Sequence, residues 1–427
     1  MERPKILHYT HSFFPVYGGT STRNYNLMRD ENYQYIVYTP QAPCSYIPPT
    51  LGSLKEIEIQ RNIEIHRIVI TPDISDKIKS VQIFPYYIRY IIDVYGRAKK
   101  LYNAVNQRGF DIMYGHSPLE FGMASLWYAR EKGIPLIYEA HSFLTDSLRE
   151  SLLNNLEEKK MAPRLYRQLL FNFLNKYESE IIRKSDCIIA QTPSIKKKIE
   201  NLFHVPEEKV QLIVNGVDCN MFDPKNGKDH NKFYTKRSGV SEFRILYSGF
   251  LNSINGVDFL LSAFKQLPRD KKPNLSLLIA GRGPMQQEVE NISRVDPCIR
   301  YLGLVKYEDM PDLYNTCDLF VIPRPSVKDA EEFYPIKLIE AMAMEKPVLV
   351  SNVKAMAEIV NDTVTGFVFQ KGSLDSFVSK LSSILKNTEN LQAIGRAARR
   401  FVKINYSWEN SQKKLSRKIE ELLSNRK

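Results

Sequence analysis

A chain of 427 residues exceeds what one hydrophobic core organises, so two domains are expected. With 43% apolar and 25% charged residues the composition is that of an ordinary globular protein, and the five cysteines, scattered with no C-x-x-C pair, indicate neither a disulfide framework nor a zinc site. No apolar run approaches the length needed to span a bilayer, and the formal net charge of +12 comes with no nucleic-acid-binding motif, so no nucleic-acid partner is expected.

Met1-Glu2-Arg3-Pro4-Lys5 leads straight into a strand at residues 5–10, so no signal peptide is expected, and a cytoplasmic location, free or peripheral on the inner face of the membrane, is expected. A turn-rich loop, residues 12–20, carries Gly18-Gly19 and precedes a helix from residue 21. Strand, Gly-rich loop and helix open a nucleotide-binding α/β unit, where bare backbone N–H groups can face phosphate; a Gly-Gly pair alone marks only a turn. Residues 35–38 and 63–68 read as strands. Residues 84–107 read as a helix rich in aromatics and bases, among them Tyr90, Tyr95, Arg97, Lys100 and Tyr102. Its aromatics face a core while its bases face water, or the whole helix is interfacial and serves a lipid-bearing acceptor. Strands at 111–114 and 134–138 end at Gly115-His116-Ser117-Pro118 and Glu139-Ala140-His141-Ser142. His116 and His141 thus fall just past the C-terminal ends of parallel strands, the edge where open α/β sheets bind ligands. One such histidine is more often structural; two at matching strand ends make a candidate site. Residues 148–184 form one or two polar helices, strands follow at 186–191 and 210–214, and Asn215-Gly216-Val217-Asp218 is a turn. Residues 223–239, rich in Pro, Gly, Asn and Lys without periodicity, read as the linker.

A second α/β series begins with a strand at 243–248, the loop from Gly249 to Gly256 and a helix at 257–267. A strand at 275–280, the turn Gly281-Arg282-Gly283-Pro284, another helix and strands at 299–302 and 319–322 lead to residues 329–343. There Tyr334-Pro335 closes a loop, and Ile336, Ile339, Ala343 and Met344 mark a helix. Glu332 lies in the loop and Glu340 about one turn inside the helix. Lys337 stands in the first turn, where the macrodipole disfavours a cation unless an anion docks on the helix end. Strands at 347–351 and 366–369 and a last helix at 409–423 complete the series, and the strand-helix alternation argues for parallel sheets. The last 32 residues carry 10 Lys/Arg against 3 Asp/Glu. Such a run is a solvated helix face or attracts anionic lipid or a phosphorylated substrate.

In this order the motifs resemble those of the retaining glycosyltransferases of family 4 over nearly the whole chain. Glu332 and Glu340, followed by Ala341-Met342-Ala343 and Lys346-Pro347-Val348, are similar to that family's two glutamates separated by seven residues. Gly18-Gly19, the turn at 215–218 with Phe222, Gly281-Arg282-Gly283-Pro284, Thr365-Gly366-Phe367, and the two histidine loops match as well. The resemblance implies an α/β chain of the GT-B fold, two facing Rossmann-like domains with an inter-domain donor cleft. Residues 1–225 would be the acceptor domain and 226–405 the nucleotide-sugar domain, with 406–427 a helix packing back on the first. It further implies that Glu340 accepts hydrogen bonds from ribose hydroxyls and Glu332 from the donor sugar. Backbone N–H groups around Tyr334, Pro335, Ile336 and Lys337 would face the diphosphate. His116, and less directly His141, would lie near the transferred sugar. Gly18 and Gly19 would let backbone approach phosphate or acceptor. Glu332 is not expected to be a nucleophile; the leaving diphosphate oxygen would help to deprotonate the acceptor. No metal is expected, and no cofactor, the nucleotide diphosphate sugar being a substrate.

The family usually places Arg after the glycine at Gly249 and Lys before the glycine at Gly256; here Phe250 and Asn255 stand instead. Either Lys337, Arg282 or Arg324 supplies the charge from another side, or the donor is handled differently, or the chain binds ligands and transfers little. The first explanation is favoured, because Lys337 suits a diphosphate better than an isolated helix. Pro335, where the family often has Gly, also removes one N–H. The expected function is therefore transfer of a hexose to a saccharide or lipid-linked saccharide in cell-surface glycan synthesis, with an anionic membrane surface as a partner. The competing readings are a non-catalytic GT-B glycan-binding or partner subunit, and a sugar-nucleotide epimerase.

Overall fold

The computed structural model describes residues 2–13, 19–41, 56–69, 86–105, 109–141, 164–227, 233, 242–267, 275–325 and 331–425. They form two compact units, residues 1–214 with 411–427, and residues 215–410.

The first unit is built on eight strands: β1 (Lys5–Tyr9), β2 (Gln34–Pro40), β3 (Ile57–Gln60), β4 (Ile63–Ile68), β5 (Ile112–His116), β6 (Leu136–Glu139), β7 (Cys187–Ala190) and β8 (Val210–Leu212). Their order is β3-β4-β2-β1-β5-β6-β7-β8. β5, β6 and β7 are buried at every position, which is why they read as short apolar runs rather than as alternating patterns. The order reverses at β1, which pairs with β2 on one side and β5 on the other. β3 departs from the expected all-parallel sheet. It is antiparallel to β4, and Arg61 (φ 54°) and Asn62 make the turn between them. Asn62 fixes that turn by donating to the carbonyls of Met28, Asp30 and Tyr33 at 3.1, 2.8 and 3.0 Å. The helix expected over 84–107 spans Tyr86–Ala104, and among its described side chains the buried ones are aliphatic, Val94, Ala98 and Leu101. Tyr95 stays on the surface, edge-on to Trp127 at 5.4 Å. Arg164–Lys184 is one helix; residues 148–163 lie outside the described residues, as do the side chains of residues 86–90.

The second unit holds β9 (Phe243–Ser248), β10 (Leu275–Ala280), β11 (Ile299–Gly303), β12 (Leu319–Ile322), β13 (Val348–Ser351) and β14 (Phe367–Phe369). All pairs are parallel, in the order β11-β10-β9-β12-β13-β14, the doubly-wound arrangement with its reversal between β9 and β12.

The division between units falls at Val214/Asn215 rather than at residue 225. The stretch after Asn215 is irregular but fixed. Phe222 is fully buried, and Arg399 donates to the carbonyls of Phe222 (2.8 Å) and Ala343 and to the Asp223 carboxylate. Asn315 donates to the Pro224 carbonyl at 2.9 Å. Composition alone placed the boundary too late, because an aperiodic segment can be held entirely by hydrogen bonds. Most of the expected linker, residues 228–232 and 234–239, lies outside the described residues. At the other crossing, Ser411 donates to the Val214 carbonyl at 2.9 Å and Tyr33 to that of Ser416 at 3.3 Å, so the last helix, Trp408–Ser424, joins the first unit from Ser411 onward.

Gly395, inside the helix Leu391–Asn405, faces the chain after Ile336–Ala343, and a Cβ there would sit 2.0 Å from the Glu345 carbonyl oxygen. Gly395→Ala is expected to cost about 1–3 kcal/mol through forced separation of the two segments. Urea unfolding followed by far-UV circular dichroism checks it; an unchanged midpoint would mean the segments separate freely.

Candidate functional site

Each sheet carries a polar cluster where its strand order reverses. In the first unit, register brings the groups together: His8 on β1 pairs with Tyr114 on β5, and His116 at the end of β5 with Glu139 at the end of β6. Glu139 is completely buried and collects donors. Arg23, on the helix Gly19–Leu27, gives it Nε at 2.7 Å and Nη2 at 3.3 Å, Tyr114 its hydroxyl at 2.5 Å, and Gln191 its amide at 2.9 Å. Arg23 also donates to the Ile213 carbonyl at 2.7 Å. Burial alone would raise the Glu139 carboxyl, but Arg23 and the neighbouring histidines hold it well below the usual carboxylate range.

Three imidazoles extend from this pair. Gln191 gives one amide hydrogen to Glu139 and the other to His141 Nδ1. The His141 hydrogen therefore sits on Nε2, 2.6 Å from His116 Nδ1 and 3.2 Å from Glu139. His116 in turn carries its hydrogen on Nε2 and donates to His8 Nε2 at 2.5 Å. Burial lowers all three basicities: His8 to about 3, His141 to about 4, and His116 well below its ordinary value. The structure thus brings His116 and His141 together as expected neighbours, but commits both ring nitrogens of each to the network. His116 has no exposed surface, whereas 14% of the His141 side chain remains exposed. Gly19 begins its helix with nothing packed where a Cβ would stand, and Gly18 lies outside the described residues. Arg23, Glu139, His8 and Gln191 escaped the sequence reading. The signal that could have found them is the strand register, which sets polar side chains side by side.

His116, Glu139 and His141 also offer ligand atoms within 4.8 Å of one another. They do not fit a cation as they stand. The two histidine nitrogens share a hydrogen at 2.6 Å, and the carboxylate is already neutralised by Arg23.

In the second unit the cluster surrounds the end of β9. Lys337 lies in the first turn of the helix Ile336–Ala343, whose start Pro335 precedes in extended conformation. Its ammonium donates to the Ser248 carbonyl at 2.7 Å, lies 4.3 Å from the Tyr247 ring centre, and occupies the space a Cβ on Gly249 would need. Arg324, just past β12, donates to the Phe333 carbonyl at 2.9 Å and reaches Asn255 Oδ1 at 3.4 Å; its Nε is buried with no partner among the described residues. Lys337 and Arg324 therefore converge on the turn whose own residues, Phe250 and Asn255, are uncharged. Phe250 is 53% exposed, and its carbonyl accepts the Tyr247 hydroxyl at 3.0 Å. Burial, then Arg324, lowers the Lys337 ammonium to about 7 despite the counter-effect of Glu340.

Glu340 is 6% exposed and accepts the Tyr314 hydroxyl at 3.0 Å; Tyr307 also hydrogen-bonds to it. Burial raises its carboxyl to about 7 against these bonds and Lys337. Glu332 is half-buried in the segment before Tyr334, while the adjacent Glu331 is engaged by Lys371 and by the backbone N–H of Lys354 at 2.9 Å. Tyr334 is buried with its hydroxyl on the Asn215 carbonyl at 2.9 Å, so only its backbone is left for a ligand. Half-buried Arg282 lies between Gly281 (φ 131°) and Gly283 (φ 156°). Their missing Cβ atoms would fall 1.8 and 2.4 Å from the carbonyl oxygens of Gly249 and Leu251, so these glycines let the two turns touch. A hollow of about 710 Å³ lies elsewhere, beside Phe243, Leu275 and Pro347 at the N-terminal ends of the strands, away from these groups.

Two α/β units, each with a polar cluster where its sheet order reverses, have the architecture of the GT-B fold. Family models agree. Glycosyl transferases group 1 matches residues 231–401, and Glycosyltransferase Family 4 matches residues 17–221. Among curated relatives, an uncharacterized glycosyltransferase of Methanocaldococcus jannaschii, MJ1607, is 29% identical over 56% of this chain and 59% of its own length. The fold is similar to that of sucrose-phosphate synthase from Thermosynechococcus elongatus (TM-score 0.73, 16% identity, 99% of this chain and 100% of that one). It is also similar to Anabaena HepE in complex with UDP (TM-score 0.66, 15% identity, 98% and 100%). Among the described residues no helix is long and apolar enough to cross a membrane.

The histidine cluster makes the first unit acid-sensitive. Unfolded imidazoles take up protons near 6.5, while folded His141 and His8 resist until about 4 and about 3. Their contribution is fully present above about 6.5 and is lost as the pH falls from there toward 4. Hydrogen exchange of β1, β5 and β6 at pH 7.5, 6.0 and 5.0 is expected to show steadily falling protection. Flat protection across this range would place charged imidazoles in the fold.

Proposed function

We propose that the protein transfers a hexose, with retention, from a nucleotide diphosphate sugar to a saccharide or lipid-linked saccharide in cell-surface glycan synthesis. The observation that carries this reading is the convergence of Lys337 and Arg324 on the Gly249–Asn255 turn beside Glu340. A diphosphate leaving group needs cations and N–H dipoles more than it needs a nucleophile. Lys337, Arg324 and Arg282 supply the charge, and the N–H groups of Ile336 and Lys337 the dipoles. Glu340 accepts from ribose hydroxyls and Glu332 from the donor sugar. The bond between the sugar C1 and the diphosphate oxygen breaks as the acceptor oxygen bonds to C1 on the same face. The acceptor's proton passes to the departing diphosphate. No metal is required in this scheme, because side-chain cations carry the neutralisation.

Lys337, lowered to about 7 when the site is empty, gains an anionic partner when a diphosphate binds, so binding takes up a proton at pH 8. Titration calorimetry of UDP and ADP in buffers of different ionisation enthalpy is expected to show this uptake. Lys337→Ala should abolish it and weaken binding by about 10- to 100-fold, a charge-assisted contact of about 1.5–3 kcal/mol. Arg282→Ala should weaken binding by a smaller factor. Near-wild-type binding in both variants would remove the compensation of Phe250 and Asn255.

The exposed bases Arg396, Arg400, Lys414 and Arg417 support an acceptor held at an anionic membrane on the cytoplasmic side. Co-sedimentation with phosphatidylglycerol vesicles at low salt is expected to carry the protein down, and its absence would detach the function from the membrane. A second reading, a non-catalytic GT-B subunit, is favoured by the exposed Phe250 where a cation was expected. Release of nucleoside diphosphate from a panel of nucleotide sugars separates the two.

A further inference from the structure

Among the described residues β3 is the outer edge of the eight-stranded sheet, and its polarity is inverted. Glu58 and Gln60 share a face with Ile63, Ile65 and Arg67, all three buried, and Arg67 donates to Glu58 at 2.9 Å. Ile57 and Ile59 stand on the other face, 53% and 73% exposed. Edge strands ordinarily present charges to discourage association; this one presents β-branched apolar side chains.

The backbone of β3 is open at the same residues. The Arg67 N–H donates to the Glu56 carbonyl at 2.8 Å. Bonded pairs alternate along an antiparallel ladder, so Glu58–Ile65 and Gln60–Ile63 are bonded pairs, and Ile57–His66 and Ile59–Glu64 are not. The N–H and C=O groups of Ile57 and Ile59 therefore point away from β4, and they have no backbone partner among the described residues.

The strand that completes this edge is β3 of a second copy. Laid antiparallel about a twofold axis through Glu58, Ile57 of one copy faces Ile59 of the other, and each such pair exchanges both N–H···O=C bonds. The same pairing joins the exposed isoleucine side chains across the strands on one face. The Glu58 carboxylates meet on the opposite face, where Arg67 and the Gln60 amide already hold each of them. The ends match in charge, because exposed Glu56 of one copy comes beside exposed Arg61 of the other. Backbone bonds alone would accept any strand; the isoleucine pairing and the charge match select this chain.

We propose that the protein self-associates through β3, as a twofold dimer in which the sheets of two first units join edge to edge with Ile57 opposite Ile59. The edge is short, so the association is weak, with a Kd of about 1–100 µM.

Sedimentation velocity of the full chain, from about 2 to about 200 µM, is expected to show monomer passing into dimer. Ile57→Lys and Ile59→Lys each put a charge into the apolar contact and spare the bonds between β3 and β4. Each should keep the protein monomeric throughout, with an unchanged far-UV circular dichroism spectrum. Glu58→Cys tests the register, since residues facing each other in a non-bonded antiparallel pair lie about 4.5 Å apart at Cα, within disulfide reach. Mild oxidation should link the Glu58→Cys variant into a covalent dimer on a non-reducing gel. It should leave the wild type, with its five cysteines, and Gln60→Cys largely unlinked. A wild type that stays monomeric at the highest concentration overturns the proposal, and protection of its Ile57 and Ile59 amides from hydrogen exchange would then assign the edge to another part of the same chain. A dimer indifferent to both lysine substitutions has its interface elsewhere, and a dimer that Glu58→Cys fails to link is not paired in this register; either result also overturns it.

Discussion

The first unit depends on one buried carboxylate. Glu139, with no exposed surface, costs several kcal/mol to desolvate, and only its full set of donors makes that tolerable. Those donors come from different elements: Arg23 from the first helix, Tyr114 from β5, Gln191 from the end of β7, with Arg23 also reaching the Ile213 carbonyl after β8. One group therefore ties the helix after β1 to strands far apart in sequence. Because Gln191 must serve Glu139, its second amide hydrogen is directed at His141, and the orientation of every ring down to His8 follows from that choice. A site of this kind is stiff, its hydrogen positions being dictated from within the core.

The second unit solves a different problem with different means. The turn at the end of β9 carries the uncharged side chains of Phe250 and Asn255. The cations arrive from β12 and from the helix after Pro335, and Gly249 leaves the room for Lys337 to enter. The Lys337 ammonium is poorly solvated and rests on a carbonyl and a ring face, partners that polarise toward a cation without neutralising it. Glu340, held by two tyrosine hydroxyls, keeps its opposite tendency close by. Burial draws the two groups toward neutrality from opposite sides.

Much of the fold was legible because its physics is local. Short apolar runs alternating with helical periods implied parallel sheets, and Asn-Gly and Gly-x-Gly marked turns that the backbone uses. β3 escaped because Ile57-Glu58-Ile59-Gln60 is too short and too exposed to stand out. The helices Leu374–Lys386 and Leu391–Asn405 carry clear apolar stripes, Phe377, Leu381 and Ile384 in the first, but no motif drew attention to them. The site was legible where one element supplies both the residue and its oddity, as with Lys337 at a helix start. It was illegible where meaning comes from pairing across strands. His8 and Glu139 look ordinary until register sets them against Tyr114 and His116.

The route of the chain has a consequence for how the protein is made. Residues 411–427 belong to the first unit, although 215–410 intervene. During synthesis the second unit is complete and free to fold before the first has received its final helix. Until then the surfaces that Leu415 and Ile419 later cover stay open to water, along with the Val214 carbonyl that Ser411 will satisfy. The first domain to emerge is the last to be finished, so the interval between the two crossings is when this chain is most exposed to aggregation.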